Sequence, residues 1–220
     1  MLIESRRTKS GVFEKEWVIP KTFQRESLKQ RLRLIEACSE SSLKSIPRIS
    51  HVWNGNTLKQ TMPLLLHSDF SGVEDAAKTV HLEVLAKNID CLHANGLIHG
   101  DIHPKNVIFT GDQLVLVDFE PFLERQAGPI TYYCSTRPWV AHSDLKNKTL
   151  SNLTDRIGFL HTALRLLGIG IPKFNTIRTF RERRKSDYPI GGTISDSVVA
   201  AKNCEQILAH IHRNYLTSPS

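Results

Sequence analysis

At 220 residues, with 40% hydrophobic and 23% charged side chains, the chain has the size and balance of one soluble domain, or of two small lobes sharing a cleft. Its formal net charge of +7, from 29 Lys and Arg against 22 Asp and Glu, favours an anionic partner such as a nucleotide, a nucleic acid, a phospholipid head group or an acidic glycan. A solvated basic surface is the plain alternative. No apolar run approaches the ~20 residues of a membrane span, and Met1–Lys9 lacks the apolar centre of a signal peptide. Cys38, Cys91, Cys134 and Cys204 form no CxxC pair and have no His at metal-ligand spacing. The expectation is a soluble protein of a reducing cytoplasm, with Cys91 and Cys204 as buried free thiols.

The first elements alternate. Met1–Ser5 predicts a short strand, and Arg6–Gly11 a polar turn. In Val12–Val18, Phe13, Lys15 and Trp17 fall on one face and Glu14 and Glu16 on the other, which predicts a strand ended by Pro20. Thr22–Cys38 carries Leu28, Leu32 and Ile35 at helical spacing. Ile46–Trp53 and Thr57–Met62, joined across Asn54-Gly55-Asn56, predict a hairpin. Beyond a boundary at Pro63–Ser71 the chain becomes helical. Asp75–Asn95 sets Val80, Val84, Leu85, Ile89 and Leu92 on one face, with Gly96 as its C-terminal stop. Thr154–Leu167 predicts an apolar helix with Ile157, Leu160, Leu164 and Leu167 inward, and a last helix follows over roughly 195–215. Arg178–Lys185 is a basic run, also helical in pattern.

Between the middle helices lies the most informative stretch, Leu97-Ile-His-Gly-Asp-Ile-His-Pro-Lys-Asn-Val-Ile-Phe109, followed by Leu114-Val-Leu-Val-Asp-Phe-Glu120. Asp101 and Asn106 share a polar loop between apolar segments, and Asp118 ends a short apolar strand. Phosphoryl transfer from ATP uses such a set: one carboxylate to orient an acceptor hydroxyl, and two oxygen ligands to hold magnesium on the phosphates.

The order of a strand with Lys15, a helix, a hairpin, a linker, a helix, His-Gly-Asp-x-x-x-x-Asn, a strand and Asp-Phe resembles the protein-kinase-like superfamily over roughly residues 12–170. The resemblance implies an α+β, two-lobed fold: a small, shortened β-rich N-lobe over residues 1–66 and a mainly helical C-lobe over 67–220. It implies Asp101 as the catalytic-loop aspartate, and Asn106 and Asp118 as ligands of magnesium. His99 would hold the loop through backbone hydrogen bonds, and Phe119 would be a packing residue. Lys15 would contact the α- and β-phosphates of ATP, with Glu36, or less favourably Glu26, as its acidic partner on the first helix. Gln60–Pro63 would supply the strand that pairs with adenine through its backbone, with Met62 or Leu58 against the ring. Asp155 sits where protein kinases place an aspartate that braces the catalytic loop; a first-turn helix charge is the structural alternative.

The wording also departs from protein kinases. No glycine-rich phosphate loop precedes Lys15; Arg6, Arg7 and Lys9 are the charges that could cover the phosphates there. Glu120 replaces the glycine that follows Asp-Phe. His103 stands where Ser/Thr kinases use a lysine, with Lys105 nearby to supply positive charge. The loop wording is similar to aminoglycoside-kinase-like enzymes and lipopolysaccharide sugar kinases. These departures favour a magnesium- and ATP-dependent kinase acting on a sugar, a lipopolysaccharide core or another small-molecule hydroxyl, with Asp101, His103 and Lys105 at the reacting end. The basic run 178–185 suits an anionic membrane surface reached from the cytoplasm. A Ser/Thr protein kinase is the alternative, for which the Thr-, Tyr- and Ser-rich stretch 128–139 resembles an activation segment. A nucleotide-binding pseudokinase is a further one. Nucleic acid is not an expected partner: the basic run interleaves only Phe180, and no recognition motif is present.

Overall fold

The alternation around Lys15 builds a small antiparallel sheet. In the computed structural model, which describes residues 3–7, 11–19, 25–41, 43, 45–121, 150–169 and 200–216, strands β1 (Ile3–Arg7), β2 (Val12–Val18), β3 (Ser50–Asn54) and β4 (Thr57–Pro63) pair in the order β1-β2-β4-β3. Direct cross-strand partners share a face. Phe13 therefore lies beside Met62, Lys15 beside Gln60 and Trp17 beside Leu58. On the opposite face Lys59 Nζ reaches Glu14 Oε1 at 2.6 Å.

Helix α1 (Arg25–Glu40) crosses the Trp17 end of this sheet. Leu28 and Leu32 complete a small core with Trp17, Ile19 and Leu58, while Ile35 and Cys38, one to two turns on, enter the larger core. One apolar stripe thus joins both lobes. Each fully buried Leu or Ile in it contributes roughly 1.5–3 kcal/mol by burial.

The larger lobe packs α2 (Asp75–Ala94), α3 (Asn152–Leu166) and α4 (Cys204–Ile211) around the hairpin β5 (Val107–Phe109) and β6 (Leu114–Leu116). Ser151 caps α3 by accepting from the Leu153 N–H, and Asn203 caps α4 by accepting from that of Gln206. Asp90 of α2 also accepts the Cys204 and Glu205 N–H groups, at 2.7 and 3.1 Å, which ties α4 to α2. Between the lobes, residues 64–69 run without helix or strand; Leu64 N–H bonds Gly11 O and Ser68 N–H bonds Phe109 O, both at 2.7 Å.

Several boundaries differ from the sequence reading. β1 runs through Arg6 and Arg7, which pair with Glu14 and Phe13 instead of forming a turn. β3 starts only at Ser50, because the preceding coil turns to the large lobe, where Ser45 O accepts the Leu116 N–H at 2.8 Å. The hairpin loop is Gly55-Asn56, with φ +60° at Gly55, the first central position, as a type II′ turn requires. Val80 is 56% exposed and not inward; Leu82, Leu85, Ala86, Ile89 and Leu92 form the buried face of α2. Cys204 is buried as expected, but Cys91 is half-buried and Cys38 takes the core position. The last helix starts at Cys204, after its Asn203 cap, and passes into a wider turn over His212–Leu216. The stretches 128–139 and 178–185, together with Lys9 and Cys134, lie outside the described residues.

Candidate active site

The catalytic loop is held in shape by buried polar groups. Asp155, fully buried in the first turn of α3, accepts the His99 N–H at 2.8 Å and the Gly100 N–H at 2.7 Å. Gly100 meets it with φ +87°, a conformation that glycine tolerates. His93 Nε2 lies 2.9 Å from the same carboxylate. His99 Nδ1 accepts the Asp101 N–H, so its Nε2–H donates to Val117 O at 2.9 Å. Burial pushes His99 below the usual imidazole range, against the pull of Asp155, which fits this neutral tautomer. His99 therefore couples the Asp101 loop to the strand end that carries Asp118.

His103-Pro104-Lys105-Asn106 forms a capped single turn: His103 Nδ1 accepts the Lys105 N–H, and Pro104 takes the first helical position. That leaves His103 Nε2 facing Asp101 Oδ2 at 3.5 Å, a positioning contact for the carboxylate. Asn106 Nδ2 donates to Asp101 O at 2.9 Å. Lys105 is exposed.

Asp118 has φ +69°, unlike every other described non-glycine residue. Aspartate tolerates this left-handed geometry better than most residues, and it persists only where its surroundings fix it. Three side chains of the small lobe do so. Lys15 Nζ bonds Asp118 Oδ1 and, at 3.1 Å, Glu120 Oε1. Gln60 Nε2 donates to Phe119 O at 2.9 Å, and Arg31 Nε donates to Glu120 O at 3.0 Å. Phe119 is buried and packs edge-on against His99, ring centroids 4.7 Å apart.

A cleft of about 270 Å³ opens between the lobes, near the lower end of small-molecule sites. Phe13, Met62, Pro63, Leu64, Leu65, Ile108 and Val117 line it with apolar surface, and Lys15, Asn106 and Asp118 give it polar groups. The structure thus brings Lys15, Met62, Asn106 and Asp118 to one cavity, with Asp101 and His103 joined to it through Asn106.

Two sequence assignments need correction. Glu36 is not the partner of Lys15: its Oε1 accepts the His51 N–H at 2.8 Å and faces His51 Nδ1 at 3.0 Å. Glu26 is exposed and pairs with Lys29 at 2.7 Å. The Gln60 side chain does not line the cleft: on the same face of the sheet as Lys15, its buried amide is taken up by His51 Nε2, at 3.0 Å, and by Phe119 O. The sequence reading missed Arg31. Its place three residues after Leu28 and four before Ile35 puts it on the apolar stripe of α1, a signal that it is no ordinary surface charge.

Among the described residues no cluster of three or more His, Cys, Asp or Glu could hold a metal ion alone. Magnesium is commonly held by one or two protein oxygens together with substrate phosphates. The pair Asn106 and Asp118 fits that pattern: the Asn106 amide nitrogen is spent on Asp101 O, which leaves Oδ1 for a cation, and Asp118 offers a carboxylate in the same cleft.

The chain has a protein-kinase-like fold. The sequence model of a phosphotransferase enzyme family (APH) matches residues 30–122. The structure is similar to that of the Mycobacterium tuberculosis PknI kinase domain, with a TM-score of 0.61 and 12% identity over 96% of this chain and 89% of that one. A singly substituted form of the same domain gives 0.58 and 13% over 92% and 84%. No curated protein matches the sequence. Family model and fold together support kinase-like phosphotransfer.

Proposed function

We propose that this chain is a kinase that uses ATP and magnesium to transfer the γ-phosphate to a hydroxyl. The observation that carries the reading is the convergence of Lys15, Asn106 and Asp118 on one apolar-walled cleft, with Asp101 hydrogen-bonded to Asn106 beside it. Adenine would lie among Phe13, Met62 and Val117, and Lys15 would hold the phosphates. Asp101, steadied by His103, orients the acceptor hydroxyl and takes its proton as the oxygen bonds to the γ-phosphorus and the bridging P–O bond to ADP breaks. Magnesium, when bound at Asn106 and Asp118, would neutralise charge on the phosphates.

The acceptor we favour is a sugar, a lipopolysaccharide core or another small molecule. Glu120 in place of glycine, His103 in place of lysine and the match to the phosphotransferase family support it. The charge of +7 suits an anionic acceptor, including a glycolipid reached at a membrane surface from the cytoplasm. A Ser/Thr protein kinase is the second reading, favoured by Asp155 bracing the catalytic loop and by the likeness to a kinase domain. Purified protein with γ-labelled ATP separates them. Label on sugar or lipid fractions and none on the chain or on a generic protein supports the first; self-labelling and label on a generic protein supports the second. Nucleotide binding with no transfer to anything would contradict both.

A further inference from the structure

The acid that pairs with Lys15 does not come from α1. Glu36 is held by two contacts to His51, at 2.8 and 3.0 Å, and Glu26 is on the surface. Lys15 instead meets Glu120 at 3.1 Å, two residues along the same segment as Asp118, and its ammonium is largely shielded, with the side chain 13% exposed. The side of α1 that faces this segment carries a cation: Arg31 donates Nε to Glu120 O at 3.0 Å, and its Nη2 is buried with no hydrogen-bond partner. Burial lowers the Arg31 pKa to about 10, against the pull of Asp155 and Glu120, so the guanidinium stays charged at neutral pH.

We propose that Glu120 is the positioning residue for Lys15, and that Arg31 fixes Glu120 from α1. This rests on the phosphotransfer reading. The usual arrangement joins a strand lysine to a helix glutamate, so that helix position controls the lysine. Here the roles along the helix are inverted. A single three-residue segment presents both the metal-ligand candidate, Asp118, and the carboxylate that orients the phosphate-binding lysine. Helix α1 acts on that segment through an arginine-to-carbonyl bond. Glu120 thereby gains a use that explains its departure from glycine.

The test compares Glu120→Gln, Glu120→Asp and Glu36→Gln in the full chain. Glutamine keeps the size of Glu120 and its backbone carbonyl, so the Arg31 bond survives. Surface lysines are acylated with sulfosuccinimidyl acetate and Lys15 modification is read by peptide mass spectrometry, which needs no activity. Lys15 labelling should rise several-fold in Glu120→Gln and stay at the wild-type level in Glu36→Gln. With ATP, Glu120→Gln should lower kcat about tenfold or more, and Glu120→Asp should restore part of it. Wild-type labelling in Glu120→Gln, or raised labelling in Glu36→Gln, would overturn the assignment. If the lysine labels as expected and the wild-type protein transfers no phosphate, the pairing stands and the phosphotransfer reading fails.

Discussion

Asp155 Oδ1 accepts the backbone N–H of Gly100 at 2.7 Å, across 55 residues of sequence, and its other oxygen takes that of His99 at 2.8 Å. One fully buried carboxylate therefore sets the backbone of the loop just before Asp101.

Removing that acceptor strands two buried N–H groups, takes the carboxylate from His93 and removes the stronger of two anionic attractions on Arg31. Asp155→Ala should destabilise the protein by about 3–5 kcal/mol, the cost of breaking a buried charged network from one side. Urea denaturation at neutral pH measures it. A loss below about 1 kcal/mol would show that the brace contributes little.

Gly158 lies one turn further along α3, and a Cβ there would stand 2.3 Å from Ile102 O in the catalytic loop. A backbone atom cannot rotate aside, so Gly158→Ala must push the loop or the helix. The expected cost is about 1–3 kcal/mol in stability. The expected effect on transfer is a tenfold or larger fall in kcat, because the loop carries Asp101. Melting temperature and initial rates on one preparation report both. An unaffected kcat with a lowered melting temperature would mean that the loop absorbs the strain without moving Asp101.

Acid should weaken the fold before its carboxylates titrate. Burial depresses the pKa values of His51 and His99, and brings that of His161 down to about 3. An unfolded histidine titrates near ~6.5, so below that pH the unfolded chain binds more protons than the folded one. The stability these groups contribute is complete above about pH 6.5 and is lost as pH falls toward their folded values. His161 alone should cost about 2 kcal/mol between pH 7 and pH 5. Urea midpoints at the two pH values test this, and the drop should shrink in His161→Gln; an equal drop in that variant would assign the effect elsewhere.

The parts of this protein legible in the sequence are those whose signal is local. The loop around Asp101 shows itself as a polar run between apolar segments, and the Lys15 strand as an alternation of Phe13, Lys15 and Trp17. The partners of these residues were less legible, because they are set by contacts far apart in the chain. Lys15 and Glu120 are separated by 105 positions, and nothing in α1 singles out Glu36 as the carboxylate that His51 occupies. Gln60 looked like a cleft residue since it sits on the strand that leads to the linker. Its register opposite Lys15 gives it the same face of the sheet, and it is the long-range contacts to His51 and Phe119 O that take its amide out of the cavity lining. Val80 fitted the helical period of α2, yet the arc that meets α3 and α4 is centred on Leu85 and Ile89.

The most direct test of the central claim is transfer of label from γ-labelled ATP by wild-type protein, Asp101→Asn and Asp118→Asn under saturating magnesium. Wild-type protein should transfer phosphate. Each variant should lose at least about a thousandfold in rate, in line with removing a group that acts on the reacting atoms, and only Asp118→Asn should also weaken magnesium-nucleotide binding. Turnover retained in Asp118→Asn would contradict the account.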